Sequence, residues 1–210
     1  MSSITLSYDP ALAIQHLSSH DRRLGRIIDQ FSGYGLSLFP YQNAFQALVR
    51  SIIYQQLGAR SAQAIHERLL ATFPGKHHPR PEEILALTEQ QVRIIGLSRA
   101  KTIALKDLAT RISKGEIPLD CQLKQMTDNE IMDSLCKVTG IGPWTVHMLL
   151  IFYLGRADVL PATDLGIRNG FRFTYNKSVL PSPKSILAFG QRWRPYRTVA
   201  SWYLWRASYL

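Results

Sequence analysis

Apolar residues recur at helical spacing along most of the chain, and no stretch alternates in the two-residue rhythm of a strand. From Asp9 to Tyr34 the pattern is helical, with Leu12, Leu17, Leu24, Ile27, Ile28 and Phe31 as core positions, until Gly33, Gly35 and Pro40 break it. The segment Asn43–Leu57 puts Phe45, Leu48, Val49, Ile52 and Ile53 on one face and ends near Gly58 as a C-cap; Ser61–Phe73 reads as another helix. Thr88 and Gln91 have capping-box spacing for a short helix that stops at Gly96. Ser98–Lys114 follows, its Arg99, Lys101 and Lys106 forming a face that is solvated or tracks a polyanion. Thr127 and Glu130 open a further capping box, with Ile131, Leu135 and Val138 behind it. Ser182-Pro183 and Pro195 start the last two helices, the final one bearing Val199, Trp202, Tyr203 and Trp205. The expected class is all-α.

The most informative stretch is Leu135–Asp164. Thr139-Gly140-Ile141-Gly142-Pro143 cannot remain helical, because two glycines favour left-handed or close-approach backbone and Pro143 suits the first turn of a new helix. The unit reads as helix, hairpin, helix. Free N–H groups of the turn and of the new helix's N-terminus then point the same way, a site for a phosphate oxygen that is blind to base sequence. Gly155 to Pro161 breaks the second helix, and Asp164 stands just before the run Leu165, Ile167, Phe171 and Phe173, at the N-terminus of the next.

Charge sharpens this picture. The 210 residues are 46% apolar, enough for one sizeable domain or two lobes sharing a core, and carry a net charge of +10. Such a surface attracts polyanions and loosens its hold as salt rises. Cys121 and Cys136 are too few for a disulfide framework and point to a reducing compartment. No apolar run approaches the roughly 20 residues of a membrane span, and MSSITLSYDP lacks the regions of a signal peptide, so a soluble protein is expected. In the basic segment Pro74–Pro81, His77 and His78 have no cysteine or acid at ligand spacing, and a solvated loop is expected there.

The hairpin LCKVTGIGPWT, followed about twenty residues after its turn by the acid of PATD, resembles the helix-hairpin-helix superfamily of base-excision DNA glycosylases. Tyr54-Gln55-Gln56-Leu57, Gly142-Pro143-Trp144-Thr145 and Trp202-Tyr203-Leu204-Trp205 are similar to the 3-methyladenine DNA glycosylase II branch, over about Tyr41 to Tyr209. The resemblance implies one glycosylase unit over 1–210, with two helical lobes and a cleft between them. One lobe takes about 1–40 and 165–210, and the other about 41–160 with the hairpin 139–143. Asp164 would face the cleft as the catalytic acid.

Further roles follow from the resemblance. Trp144 and Trp205 would line the base pocket, with Tyr34, Tyr41 and Trp202 as weaker candidates whose residue types more often serve a core. Gly140, Gly142 and Thr145 would meet the DNA backbone. Lys137 is a phosphate contact or a solvated side chain, and Arg168, with Arg172, Arg192, Arg194 and Arg197, is a backbone contact or serves within the protein. The carbonyls of Cys136, Thr139 and Ile141 would hold a sodium or potassium ion, and no iron–sulfur cluster is expected from two cysteines. Trp144 stands where bifunctional relatives carry a nucleophilic lysine, which implies a monofunctional enzyme.

Gln56, Leu57 and Gly58 occupy the place of the side chain that fills the gap of a flipped nucleotide, and Gly58 offers none. Thr163 precedes the acid where close relatives often have a second one. Two readings therefore stand: a glycosylase releasing alkylated purines such as 3-methyladenine, and a paralogue that binds abasic or damaged duplex DNA without cutting it. Either acts as a monomer on double-stranded DNA away from membranes, in the nucleus of a eukaryote or in the cytoplasm with a bacterial chromosome.

Overall fold

The computed structural model describes residues 6–73, 75 and 78–210. Among them every regular element is helical. The chain divides into two compact units: one runs up to Leu38 and resumes at Leu150–Leu210, the other is Phe39–Leu149. The second division falls inside a helix, Pro143–Phe152, rather than at the Gly155–Pro161 punctuation near 160. Phe152, at that helix's end, stacks on Trp205 of the first unit, with ring centroids 5.8 Å apart.

The first unit contains α1 (Pro10–His20) and α2 (Arg22–Ile28). The single helix expected over Asp9–Tyr34 is broken at Asp21. This residue leaves the helical region to become the N-cap of α2, with Oδ1 accepting from the N–H groups of Arg23 and Leu24. Its Oδ2 accepts from Tyr175 Oη at 2.6 Å and Trp193 Nε1 at 2.9 Å. Asp21 is buried, and four donors satisfy its carboxylate, which is the condition for an acid to be tolerated in a core. Leu12, expected in the core, is 56% exposed, and Ala13 is buried beside Leu17.

The rest of this unit is built on α11 (Leu165–Thr174), α12 (Pro183–Phe189), the 3-10 turn Gly190–Trp193 and α13 (Arg197–Ala207). Of the apolar run on α11, Ile167 and Phe171 are buried while Leu165 and Phe173 are exposed. Helix α11 packs along α13 with Gly166 and Gly170, one turn apart, at the contact. A Cβ on Gly170 would collide with the carbonyl of Leu204, and one on Gly166 would come within 2.8 Å of Trp205 Cδ1. The two glycines let the helix axes approach.

The second unit contains α3 (Ala44–Tyr54), α4 (Ala59–Ala71), α5 (Pro81–Leu85), α6 (Glu89–Ile95), α7 (Arg99–Ser113), α8 (Cys121–Gln125), α9 (Asp128–Leu135) and the start of α10 (Pro143–Phe152). Thr88 and Thr127 close capping boxes with Gln91 and Glu130, and Gly96 ends α6 in the left-handed region. Helix α3 stops at Tyr54, earlier than expected, because Gln55 leaves the helical region at ψ 132° and Gln56 then turns left-handed with φ 54°. Gly58, expected as a C-cap, is instead the N-cap of α4.

The basic face expected on α7 is partly turned inward. Lys101 Nζ donates to Ile53 O at 2.5 Å and Lys106 Nζ to Leu87 O at 3.2 Å, so both satisfy carbonyls at helix C-termini. Burial lowers the Lys101 pKa. Of the basic loop, Pro74, Lys76 and His77 lie outside the described residues. His78 is half-buried, edge-on to Tyr41 and stacked on His66, in contrast to the solvated loop expected. No helix among the described residues is long and apolar enough to cross a membrane.

Gly170→Ala is expected to destabilise the protein by about 3 kcal/mol or more, since its methyl meets a backbone carbonyl that cannot swing away. Denaturant titration measures this, and a loss below about 1 kcal/mol would show that α11 and α13 can separate at little cost.

Candidate nucleic-acid interface and active site

The hairpin between α9 and α10 is assembled from apolar pins and two polar braces. Leu135, Val138 and Ile141 are buried and fix it to the second unit. Gly140 has φ +78°, and a Cβ there would come within 2.8 Å of Ala104 Cβ on α7, so conformation and space both demand glycine. Gly142, expected to share that need, has neither a positive φ nor any neighbour within 4 Å of an added Cβ. The fold leaves the space above Gly142 open.

Both braces come from distant segments. Asp107 Oδ2 on α7 accepts from Thr139 N–H at 2.7 Å, and its Oδ1 pairs with Arg111 Nε at 3.2 Å. Gln55, just past the end of α3, donates through Nε2 to Gly140 O at 2.9 Å and to Thr145 Oγ1 at 2.7 Å. Thr145 is buried, and its hydroxyl helps brace the hairpin. The Thr139 hydrogen bond, above all, holds the Asp107 carboxyl below the usual carboxylate range. Lys137 is exposed just before the turn, and Trp144 is half-buried in the first turn of α10.

In the first unit Asp164 is the N-cap of α11. Its Oδ1 accepts from Ile167 N–H at 2.9 Å and from the indole Nε1 of Trp205 at 2.8 Å. The helix macrodipole favours negative charge at this position. With one face stacked on Phe152 and its N–H on the carboxylate, Trp205 has a fixed orientation. The indole reaches Asp164 because Gly166 carries no side chain: a Cβ there would sit 3.1 Å from Asp164 Oδ1 as well as 2.8 Å from the indole.

The remaining aromatic candidates separate. Tyr34 shares a hydrogen bond of 2.5 Å with Tyr8 and meets the buried Trp202 edge-on, with burial pushing its phenol pKa up. Tyr41, in the second unit, lies edge-on to Phe39 and His78. Arg168 Nε donates to Pro181 O at 2.9 Å, and Arg197 is bonded to Asp158 through Nε at 2.6 Å, so both serve within the first unit. In the α3–α4 loop Gln56, Leu57 and Gly58 are all exposed. Cys136 is the C-cap of α9, where helix carbonyls lack intrahelical partners, which suits its carbonyl to a ligand role; both cysteines are free and exposed.

Gln55, Asp107 and Gly166 are the residues that sequence reasoning missed. Asp107 reads as half of an ordinary i,i+4 surface pair with Arg111, and nothing local ties it to Thr139. Gln55 stood out only as part of a motif. Gly166 had a usable signal, since its spacing from Gly170 puts two glycines on one helix face.

An all-helical chain with a glycine hairpin between two helices, followed by an acid at the head of the next helix, defines a helix-hairpin-helix protein. Residues 49–195 match the family described as HhH-GPD superfamily base excision DNA repair protein, and the chain belongs to that superfamily. It is 35% identical over 196 residues to DNA-3-methyladenine glycosylase 1 of Schizosaccharomyces pombe, covering 93% of this chain and 86% of that protein. Among solved structures, the 3-methyladenine DNA glycosylase of the same yeast in complex with abasic DNA superposes with a TM-score of 0.88 at 34% identity, over 95% of this chain and 97% of that one. The DNA-3-methyladenine glycosidase of Bacillus halodurans does so with a TM-score of 0.80 at 30% identity, over 97% and 91%.

Two predictions follow from the hairpin. Gly140→Ala should lower stability by about 1–3 kcal/mol through strain and overlap, whereas Gly142→Ala should change it by less than about 0.5 kcal/mol yet weaken duplex binding; melting and fluorescence anisotropy separate the two. Asp107, depressed in the folded state, stabilises the hairpin above the ordinary carboxylate range, and this contribution is lost as pH falls through its folded value. The gap in melting temperature between wild type and Asp107→Asn should be present near neutral pH and close in acid.

Proposed function

We propose that the chain is a monofunctional DNA glycosylase that hydrolyses the N-glycosidic bond of alkylated purines, 3-methyladenine among them, in duplex DNA. The observation that carries this reading is the carboxylate of Asp164, held at the head of α11 by Ile167 N–H and by the Trp205 indole. The 3-methyladenine glycosylases of Schizosaccharomyces pombe, which this chain matches over most of their length, support the substrate class.

Alkylation at N3 or N7 makes the purine cationic, so the electron pair of the breaking C1′–N bond leaves with a neutral base and no strong general acid is needed. Positive charge then develops on the sugar. The Asp164 carboxylate stabilises that charge and orients the water whose oxygen adds to C1′. Trp205 acts as a positioning residue, fixing Oδ1 relative to the reacting carbon. Reaching the bond requires flipping the nucleotide, which costs a few kcal/mol and least at a damaged pair.

Trp144, with Tyr34 and Tyr41 as further candidates, supplies electron-rich faces for a cationic base, worth roughly 0.5–2 kcal/mol each by cation–π attraction. Leu57 or Gln56, at the exposed α3–α4 loop, fills the gap left in the duplex. The backbone N–H groups around Gly142 and the side chain of Lys137 take phosphates on either side. The carbonyls of Cys136, Thr139 and Ile141 are neutral, hard donors that suit an alkali cation, and such an ion would add a positive charge opposite a phosphate. The reaction belongs in the compartment of the genome: the nucleus of a eukaryote or a bacterial cytoplasm. The second reading, a damage reader that binds abasic DNA without cutting, rests on Gly58, which offers no side chain to the gap.

Single-turnover release of methylated purines from alkylated duplex DNA tests the proposal. Asparagine caps a helix as well as aspartate, so Asp164→Asn should keep the fold and abasic-DNA binding while slowing release by at least about 100-fold. Release by the variant at the wild-type rate refutes the catalytic role of Asp164. No release by wild-type protein, with tight abasic binding, favours the second reading.

A further inference from the structure

The first unit holds a concave site whose chemistry the proposed reaction does not use. A cleft of about 350 Å³ opens where the α1–α2 corner, the turn after α11 and the end of α12 converge. Arg22, Arg23, Lys177, Arg192 and His20 line it. Its lining acid is Asp21, alone among the described residues there, and both oxygens of that carboxylate are already taken by four donors. What remains toward the cleft is almost entirely donor groups.

Two of the guanidinium groups are held in place rather than loose. Arg23 Nη1 donates to Tyr175 O at 2.7 Å, and Arg192 lies 3.7 Å over the Phe189 ring while its Nε donates to Phe189 O at 3.2 Å. Fixing a guanidinium before binding lowers the entropy lost when its remaining N–H groups meet a ligand. Asp21 provides the frame, since its bonds to Tyr175 and Trp193 tie the corner to segments more than 150 positions away in sequence. Arg22, Arg23, Lys177 and Arg192 form no ion pair among the described residues. A cleft of preorganised donors with no available acceptor selects a ligand made of acceptors, and bidentate guanidinium geometry suits a phosphate.

Arg192 covers the exposed face of Phe189, and Tyr175 is buried, so neither ring offers a platform for stacking a base. The cleft is therefore equipped for backbone and not for bases. It also lies at the opposite end of α11 from Asp164: Asp164 caps the N-terminus and Tyr175 the C-terminus of this ten-residue helix, about 15 Å apart along its axis.

We propose that this cleft is a phosphate-binding site that takes a phosphodiester of the DNA backbone remote from the nucleotide at Asp164. It gives this basic chain a second, sequence-blind hold on DNA. Such a contact lengthens residence on DNA without touching the reacting nucleotide.

The test uses the full chain with Arg22→Gln and Lys177→Gln together, both exposed and without a side-chain hydrogen bond among the described residues. Unchanged melting serves as the folding control. Binding to an abasic-analogue duplex is measured across a salt series, with one duplex of a single helical turn and one of several turns. On the long duplex the variant's slope of log K against log salt should fall by about 1–2 and its affinity by roughly 3- to 30-fold, because each lost phosphate contact removes released counterions. The short duplex, whose single turn of about 34 Å still spans the distance from Asp164 to the cleft, should change in the same direction, and the single-turnover rate at saturating protein should be unchanged. In parallel, inorganic phosphate is titrated into wild-type protein at constant ionic strength, and the Nε–H resonances of Arg23 and Arg192 should shift where chloride causes no shift. Phosphate-specific shifts with an unaltered long-duplex slope overturn DNA as the ligand and assign the cleft to a free phosphate. An unaltered slope without such shifts overturns the proposal entirely.

Discussion

A single carboxylate oxygen links the fold of the first unit to its chemistry. Asp164 Oδ1 accepts one hydrogen bond from the backbone of α11 and one from the indole of Trp205 on α13. The first bond is what any N-cap makes. The second requires two helices to lie close enough for an indole edge to reach past a glycine, with Phe152 behind the ring. Hydrogen bonds to a charged group contribute about 1.5–3 kcal/mol each, enough to fix a carboxylate in one orientation against thermal motion. Gly166, Gly170, Phe152 and Trp205 therefore act together, and a change at any one of them alters the direction in which the acid points.

The hairpin follows the same logic with one neutral brace and one charged one. Its turn is short and glycine-rich, and on its own would sample many shapes. Gln55 and Asp107 remove that freedom by taking a carbonyl, a hydroxyl and an N–H of the turn and its flank. Gly142 is left with open space beside it, which the fold itself does not require. A backbone that must meet a phosphate closely needs such a bare position, while the braces keep it from collapsing.

Local chemistry was legible in the sequence wherever the signal and its effect lie within a few residues. The capping boxes at Thr88 and Thr127, the helix start at Pro143 and the N-cap at Asp164 all formed as their spacing requires. The readings that failed depend on partners far away along the chain. Periodicity could not show the break at Asp21, because the donors that make a buried acid tolerable there are Tyr175 and Trp193. Lys101 and Lys106 look like a solvated stripe until the carbonyls of Ile53 and Leu87 are placed beneath them. Asp164 and Trp205 were each singled out, for different roles, and their bond became visible only once α11 and α13 were packed together.

The measurement closest to the centre of this account is the single-turnover base-release rate of Trp205→Phe, taken with its affinity for abasic duplex. Phenylalanine keeps an aromatic ring against Phe152 while losing the indole N–H and the five-membered ring that carries it, and an unchanged melting temperature shows that the packing survives. If that bond orients Asp164, release slows by roughly 10- to 100-fold while abasic affinity stays within about 3-fold, as expected for loss of one hydrogen bond to a charged group. Release at the wild-type rate would contradict the positioning role of Trp205 and leave the N-cap bond from Ile167 as sufficient to hold the carboxylate.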